Sequence, residues 1–403
     1  MKAKLCFPLI FVTLLSNNPQ CHAEENTNNI TQTSSSKFAW ELFQNSKVST
    51  KDTDNLVISP LTVQHLISVL QYAAEGTTKE QITQVTNNIS PATLYYMLHP
   101  VGASREVKSA NGIFIDSNDR VSENASLYIT ANGGDIFMLP LQKNPDKAKQ
   151  FINTWVSNGT EGHIPQLLGS ENDVSNLRAF LASAIFFHST WKHQFRSSKP
   201  RKFYTMFNEE LLTDYMEVNS YFKMKNVDLG ENNWATVINL PYKENRFSMF
   251  LIIPDPFTNL ITFLEKMNYR KFSEIIKNPS KLPTTKLNLF MPKFKISSKI
   301  SLVPALQKMG LVDIFTSQSR LTKLIDGNQA LRISEVLQQS TLEVDQFGTT
   351  ATSVTTVSVV PLSAAEPDPQ VFVLDTPFLA VIVENANETP LFIARITNPD
   401  RGA

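Results

Sequence analysis

The chain reads as an α+β protein, and three observations predict it. Apolar residues recur at helical spacing through much of the first half. From residue 179 onward the pattern changes to short apolar runs rich in Phe, Ile, Leu and Val, as in strands. No long linker or break in composition interrupts the sequence, so one large mixed domain is expected rather than two.

The elements follow in order. Phe38 to Gln44 carries apolar residues at helical intervals. Ser59-Pro60 predicts a helix start, because proline fits the first turn, where no N–H is needed. Val63, Leu66, Ile67 and Leu70 continue that helix. Gly76 is expected to end it, with Thr77 or Thr78 capping the next and Gln81 a few residues on. Phe151 to Val156 is a further helical piece. Phe180 to Phe187 is almost wholly apolar, as in a strand buried on both faces. Trp234 to Leu240, Phe247 to Ile253 and Lys286 to Ile296 are expected strands. Ser301 to Met309 is expected to be helical and to stop at Gly310. Val371 to Val373, Phe378 to Val383 and Leu391 to Ile396 close the chain as strands, with a turn over Asn385 to Pro390.

The N-terminus predicts export. Lys2 and Lys4 precede an apolar run from Leu5 to Leu15, and Cys21-His22-Ala23 supplies small residues at a cleavage site. The run is shorter than the roughly 20 residues that span a bilayer. Residues 1–23 are therefore expected to be a signal peptide, 24–36 a disordered polar leader, and 37–403 a single domain in a secreted, extracellular protein. Both cysteines, Cys6 and Cys21, precede the cut, so the mature chain would rely on its core rather than on disulfides. Five N-x-Ser/Thr sequons, at Asn29, Asn88, Asn124, Asn158 and Asn387, are candidate glycan acceptors. The 37 basic and 37 acidic side chains balance, so neither nucleic acid nor an anionic membrane is expected as a partner. Lys192, Arg196, Lys199, Arg201 and Lys202 cluster in what reads as a solvated surface loop.

One region stands apart. Thr341 to Asp345 alternates like a half-buried strand, and Gly348 follows. From Thr349 to Ala365 there is no charged residue, and the composition is mainly Thr, Ser, Ala and Val, ending on Pro361-Leu362-Ser363. Glu366-Pro367-Asp368-Pro369 then breaks regular structure. Such a segment has high β-propensity but no large apolar anchor. Because neither face carries a charge, it can sit exposed or enter a sheet without burying an ion.

At these residues the chain resembles a serpin, a resemblance extending over roughly 37–399. It rests on segments in family order: Asn55 to Thr62, Glu75 to Ile82, Ala110 to Phe114, Ile152 to Val156, Thr160 to Ile164, Ala184 to Phe187 with Trp191 and Phe195, Leu240 to Tyr242, Met291 to Phe294, Leu306 to Phe315, Pro377-Phe378, Leu391-Phe392 and Asn398-Pro399. The resemblance implies three β-sheets, eight to nine helices and an exposed reactive-centre loop. It implies a serine protease inhibitor that acts as a suicide substrate: the protease cuts the loop, and the loop inserts into the main sheet. Gly348 matches the family's hinge glycine, which makes Thr349, Thr350, Ala351, Thr352, Ser353 and Val354 the hinge and Leu362–Ser363 the reactive bond. A leucine there implies a chymotrypsin-like or elastase-like target. Ser59, Thr62, Ser183 and Gln338 match the family's central-sheet shutter.

The departures are specific. Gln346 stands where the family has an acidic residue. Thr352, Ser353 and Val354 are bulkier than the family's alanines. Ser183 and Gln338 replace an Asn–His pair. Thr376, Ala380 and Ala394 also deviate. The competing reading is therefore a non-inhibitory serpin, a carrier, chaperone or decoy substrate that is cut without trapping the protease. An enzyme is not expected: G-x-S-x-G, H-E-x-x-H, a phosphate-binding glycine loop and a cysteine cluster are all absent, and the six histidines are scattered. No metal or cofactor is expected, nor activation by a polyanion, and the expected partner is a serine protease bound by a monomer.

Overall fold

The computed structural model describes residues 35–51, 53–99, 106–230, 233–327, 331–349 and 368–401. The expected signal peptide, Asn29, hinge residues Thr350 to Val354 and the Leu362–Ser363 bond lie outside the described residues.

Among the described residues nine α-helices form: α1 (residues 35–46), α2 (Pro60–Ser68), α3 (Gly76–Val85), α4 (Pro91–Leu98), α5 (Glu123–Ala131), α6 (Pro145–Gly159), α7 (Leu260–Lys266), α8 (Tyr269–Ile276) and α9 (Val303–Lys308). The first strands are β1 (Leu56–Ile58), β2 (Val107–Asp116), β3 (Asp135–Leu139), β4 (Ala179–Phe187), β5 (Ser189–Thr190) and β6 (Arg196–Ser197). Next come β7 (Arg201–Tyr204), β8 (Glu210–Thr213), β9 (Tyr215–Gly230), β10 (Asn233–Pro241), β11 (Phe247–Pro254) and β12 (Thr284–Pro292). The last are β13 (Phe294–Ser301), β14 (Glu335–Val344), β15 (Gly348–Thr349), β16 (Gln370–Val373), β17 (Phe378–Glu384) and β18 (Thr389–Ile396).

Three sheets organise these strands. The main sheet has the order β13-β14-β4-β2-β3. A second path runs β1-β18-β17-β11-β10-β9-β12-β16, with β6 beside β9. Strand β9 divides it: Lys223 to Gly230 pairs with β10, and Tyr215 to Lys223 pairs with β12. Two sheets thus share one long strand.

Burial explains the main sheet. Every residue of β4 is buried, because one face meets the core under α1 and α2 and the other meets α6. On the α6 side, Ile152 and Val156 pack with Phe114 and Phe180, and the Trp155 ring meets Phe114 edge-on at 5.1 Å. At the upper end Phe187 lies edge-on to Tyr242 and Phe247, at 5.2 and 5.1 Å.

Several expectations are corrected. Ser35 and Ser36, expected in the leader, belong to α1 and are buried; serine is favoured at a helix start as well as in disordered segments. Gly76 opens α3 at φ +54° rather than ending α2. Gln81 caps no helix start; its Oε1 accepts the N–H groups of Val312 and Asp313. Lys286 to Ile296 is two strands in different sheets, because Lys293 turns away and donates its N–H to Asp214 O. Helices and strands are also less segregated along the chain than expected, since β2 and β3 fall early and α7 and α8 late.

One buried histidine ties the helices together. His65 on α2 is fully buried, with Nε2 2.8 Å from Asn132 O at the end of α5. Burial lowers its pKa from 6.5 to about 4. The unfolded chain takes up this proton near pH 6.5 and the folded one only near 4. The associated stability is thus present above pH 6.5 and is lost as pH falls through that window, by roughly 3 kcal/mol in all. Denaturant unfolding at pH 7 and pH 4 should show this loss in the wild type and a shallower one in His65→Gln.

Candidate functional site

The site lies where β14 and β4 run side by side. They pair in parallel from Glu335 opposite Phe180 to Thr341 opposite Phe186 and then part. Above Phe186 the chain's own continuation fills the space between them. The Asp345 carboxylate accepts the N–H groups of Phe347 and Gly348, at 2.8 and 3.1 Å, and so closes a turn. Asp345 N–H donates to Gly348 O at 2.9 Å. Gly348 and Thr349, as β15, then pair antiparallel with Thr190 and Ser189 of β5.

Gly348 is required by geometry. Its φ is +140°, and a Cβ there would lie 2.2 Å from Ser189 O and 2.6 Å from Thr190 Cα. Trp191 secures the same turn. Its Nε1–H donates to Asp345 O at 2.9 Å, and its backbone N–H to Phe347 O at 3.2 Å. The indole stacks on Tyr242 at 4.5 Å. The acidic group at this turn is therefore Asp345, one position before the Gln346 that the family pattern singles out.

Lower in the sheet, the structure brings the four predicted shutter residues together. Gln338 and Ser183 are ladder partners on β14 and β4. Gln338 Oε1 accepts Ser59 N–H at 3.0 Å, and its Nε2 donates to Ser59 O at 2.8 Å and to Thr62 Oγ1 at 3.0 Å. Ser183 Oγ–H donates to Thr62 Oγ1 at 2.9 Å, and Thr62 donates onward to Ser59 O at 3.0 Å. One glutamine thus bonds both backbone groups of Ser59, the residue just before Pro60 opens α2. Asn111 on β2, the ladder partner of Ser183, was not singled out from sequence; only the sheet register makes it a neighbour.

The remaining predicted residues are dispersed. Asn88, Asn124 and Asn158 are exposed. Asn387 is half-buried, and its Nδ2 donates to Glu384 Oε2 at 3.1 Å. In the basic segment Lys202 pairs with Glu210 at 2.7 Å, and the Arg201 guanidinium lies 3.8 Å from the centre of the Phe290 ring. Among the described residues no three His, Cys, Asp or Glu side chains converge as metal ligands, and no helix is long and apolar enough to cross a membrane.

Gln338→Leu should leave the buried Ser59 N–H without its acceptor and take one of two donors from Ser59 O, which keeps Thr62 Oγ1, at about 1–3 kcal/mol. A fall in the denaturant midpoint of that order, with Ser183→Ala costing less, is the expected result.

Comparison with known proteins agrees with this architecture. The family model "Serpin (serine protease inhibitor)" matches residues 33–399. Mouse antithrombin-III is 28% identical over 384 residues, covering 90% of this chain and 80% of that protein. A serine protease inhibitor of Cyanea capillata is 25% identical over 356 residues, covering 86% and 92%. The structure of Manduca sexta serpin-12 superposes with a TM-score of 0.77 at 26% identity, covering 92% of this chain and 99% of that one. Native protease nexin-1 with heparin gives 0.81 at 23% identity, covering 92% and 100%. With the family model matching residues 33–399 and a five-stranded main sheet in place, the chain belongs to the serpin family.

Proposed function

We propose that this protein is a secreted suicide inhibitor of a chymotrypsin-like or elastase-like serine protease, cut at Leu362–Ser363 and completed by loop insertion between β14 and β4. The protease serine attacks the Leu362 carbonyl, and the bond to the Ser363 nitrogen breaks. The loop then enters the main sheet while the acyl ester still holds the protease. Loop insertion of the serpin kind is a known form of strand addition.

The observation that carries this reading is the agreement of three registers. Extending the antiparallel pairing of Gly348 with Thr190 brings Thr355 opposite Ser183. Extending the bridge between Asp345 and Gly348 brings Thr355 opposite Gln338. Gln338 and Ser183 are already each other's partners. A strand continuing from the hinge would therefore meet both neighbours without a slip. It would replace one parallel ladder by two antiparallel ones, which are the stronger pairing.

The same register assigns the loop's faces. The even-numbered residues of β14, from Val336 to Val344, are all buried. Cross-strand partners share a face, so Ala351, Ser353, Thr355, Val357 and Val359 would turn inward. Thr352 and Val354, two of the bulky departures, would turn to the other face, opposite the buried Thr341 and the partly exposed Gln339 respectively. Thr355 would bring a hydroxyl to the Thr62 network as Gln338 and Ser183 separate.

Incubation with chymotrypsin and with an elastase should give a complex that survives boiling in detergent, together with a released fragment beginning at Ser363. Leu362→Arg should shift complex formation to trypsin. Clean cleavage with the protease left active overturns inhibition and favours the decoy. Export through a glycosylating host should yield a mature N-terminus at Glu24, with glycans at Asn88, Asn124 and Asn158 and none at Asn387, as read by intact and peptide mass.

A further inference from the structure

Strand β5 receives the hinge, and a half-buried carboxylate holds it. Ser189 Oγ–H donates to Glu106 Oε1 at 2.6 Å. Glu106 also accepts the His188 N–H through its backbone carbonyl at 2.7 Å. Its other oxygen, Oε2, lies 3.6 Å from Arg246 Nη1, with side-chain exposures of 15% and 12% for the pair. The Arg246 guanidinium rests 4.5 Å from the centre of the Phe247 ring, whose edge-on neighbour is Phe187 at the end of β4. The β10–β11 turn that carries Arg246 is fixed as well: Lys243 N–H donates to Thr190 O, and Lys192 N–H to Pro241 O. Ser189 is thus bound to β2 and to the second sheet at the point where its carbonyl faces Gly348.

We propose that Glu106 is a positioning residue for loop insertion: held by Arg246, its carboxylate fixes Ser189 and keeps β5 in register to receive Gly348 and Thr349. The proposal rests on the insertion reading above. Its physical basis is the lack of clearance between Ser189 O and Gly348, where a single Cβ would fall 2.2 Å from that oxygen. A small displacement of Ser189 therefore moves the hinge or blocks it. A charge-assisted hydrogen bond is shorter and stronger than a neutral one, which suits a fixing role.

Charge ties the device to pH. Burial raises the Glu106 carboxyl above the usual range, while the Ser189 hydrogen bond and Arg246 oppose the rise and Glu244 adds to it. Glu384 faces Arg246 from β17. His99 and His188 flank the cluster, and burial lowers both imidazoles below the ordinary histidine range. Acidification therefore discharges Glu106 ahead of ordinary surface carboxylates.

The test uses full-length protein whose loop is cut by brief excess proteinase K. Insertion is followed by the fluorescence of Trp191, which touches the hinge turn, and its completion by a gain in thermal stability. Glu106→Gln and Ser189→Ala should each slow insertion roughly five-fold near neutral pH, the effect of weakening one charge-assisted hydrogen bond. The double variant should be no slower than either single one. The wild-type rate should fall on acidification and the Glu106→Gln rate should stay flat, while uncut melting temperatures agree. Insertion by Glu106→Gln at the wild-type rate, or with the wild-type pH profile, overturns the role of Glu106 alone. No stability gain in the cut wild type overturns the insertion reading and this role with it.

Discussion

The structure depends on one unfinished ladder. Strands β14 and β4 are parallel neighbours at the centre of the main sheet, although the segment after β14 turns back antiparallel to both. Parallel ladders are somewhat weaker per residue than antiparallel ones. Among the described residues, Gly348 and Thr349 pair antiparallel with β5 at the end of this ladder.

Two devices hold this arrangement, at different heights. At the top, Asp345, Trp191 and the glycine turn dock the hinge against β5. In the middle, Gln338 spans from β14 to the entry of α2 and links both to Ser183 on β4 through Thr62. A polar network suits this position better than an apolar contact. Satisfied, it fixes a single geometry in a low-dielectric core. The Asn–His pair expected of the family is replaced here by Ser and Gln, and the glutamine's two-headed amide reaches the backbone of Ser59 directly.

The surroundings limit where movement can occur. Strand β4 is anchored at its upper end by aromatic contacts to Tyr242 and Phe247 and by the Glu106–Ser189 contact. Helix α6 covers the outer face over Phe114 and Phe180. Strand β14 is joined to β13 from Leu337 to Val344. The β14–β4 ladder runs between these anchored elements, and Gly348, at a positive φ that suits glycine, sits at its upper end.

The sequence by itself determined the class of fold and most element positions. Continuous apolar runs such as Phe180 to Phe187 admit little but a doubly covered strand, and Gly348 before a charge-free segment marks a turn that no larger residue tolerates. Ser59, Thr62, Ser183 and Gln338 were found by resemblance, yet their hydrogen bonds were not legible, because they join positions far apart in sequence through the register of two strands. The split at Lys293 and the sharing of β9 between two sheets were hidden for the same reason: local pattern reports burial but not which strand lies alongside. Glu106 left no signal at all, since an isolated glutamate before a strand reads as surface. Tertiary structure alone placed it against Ser189 and Arg246, because folding brought three distant turns to one buried point, where a carboxylate must find partners.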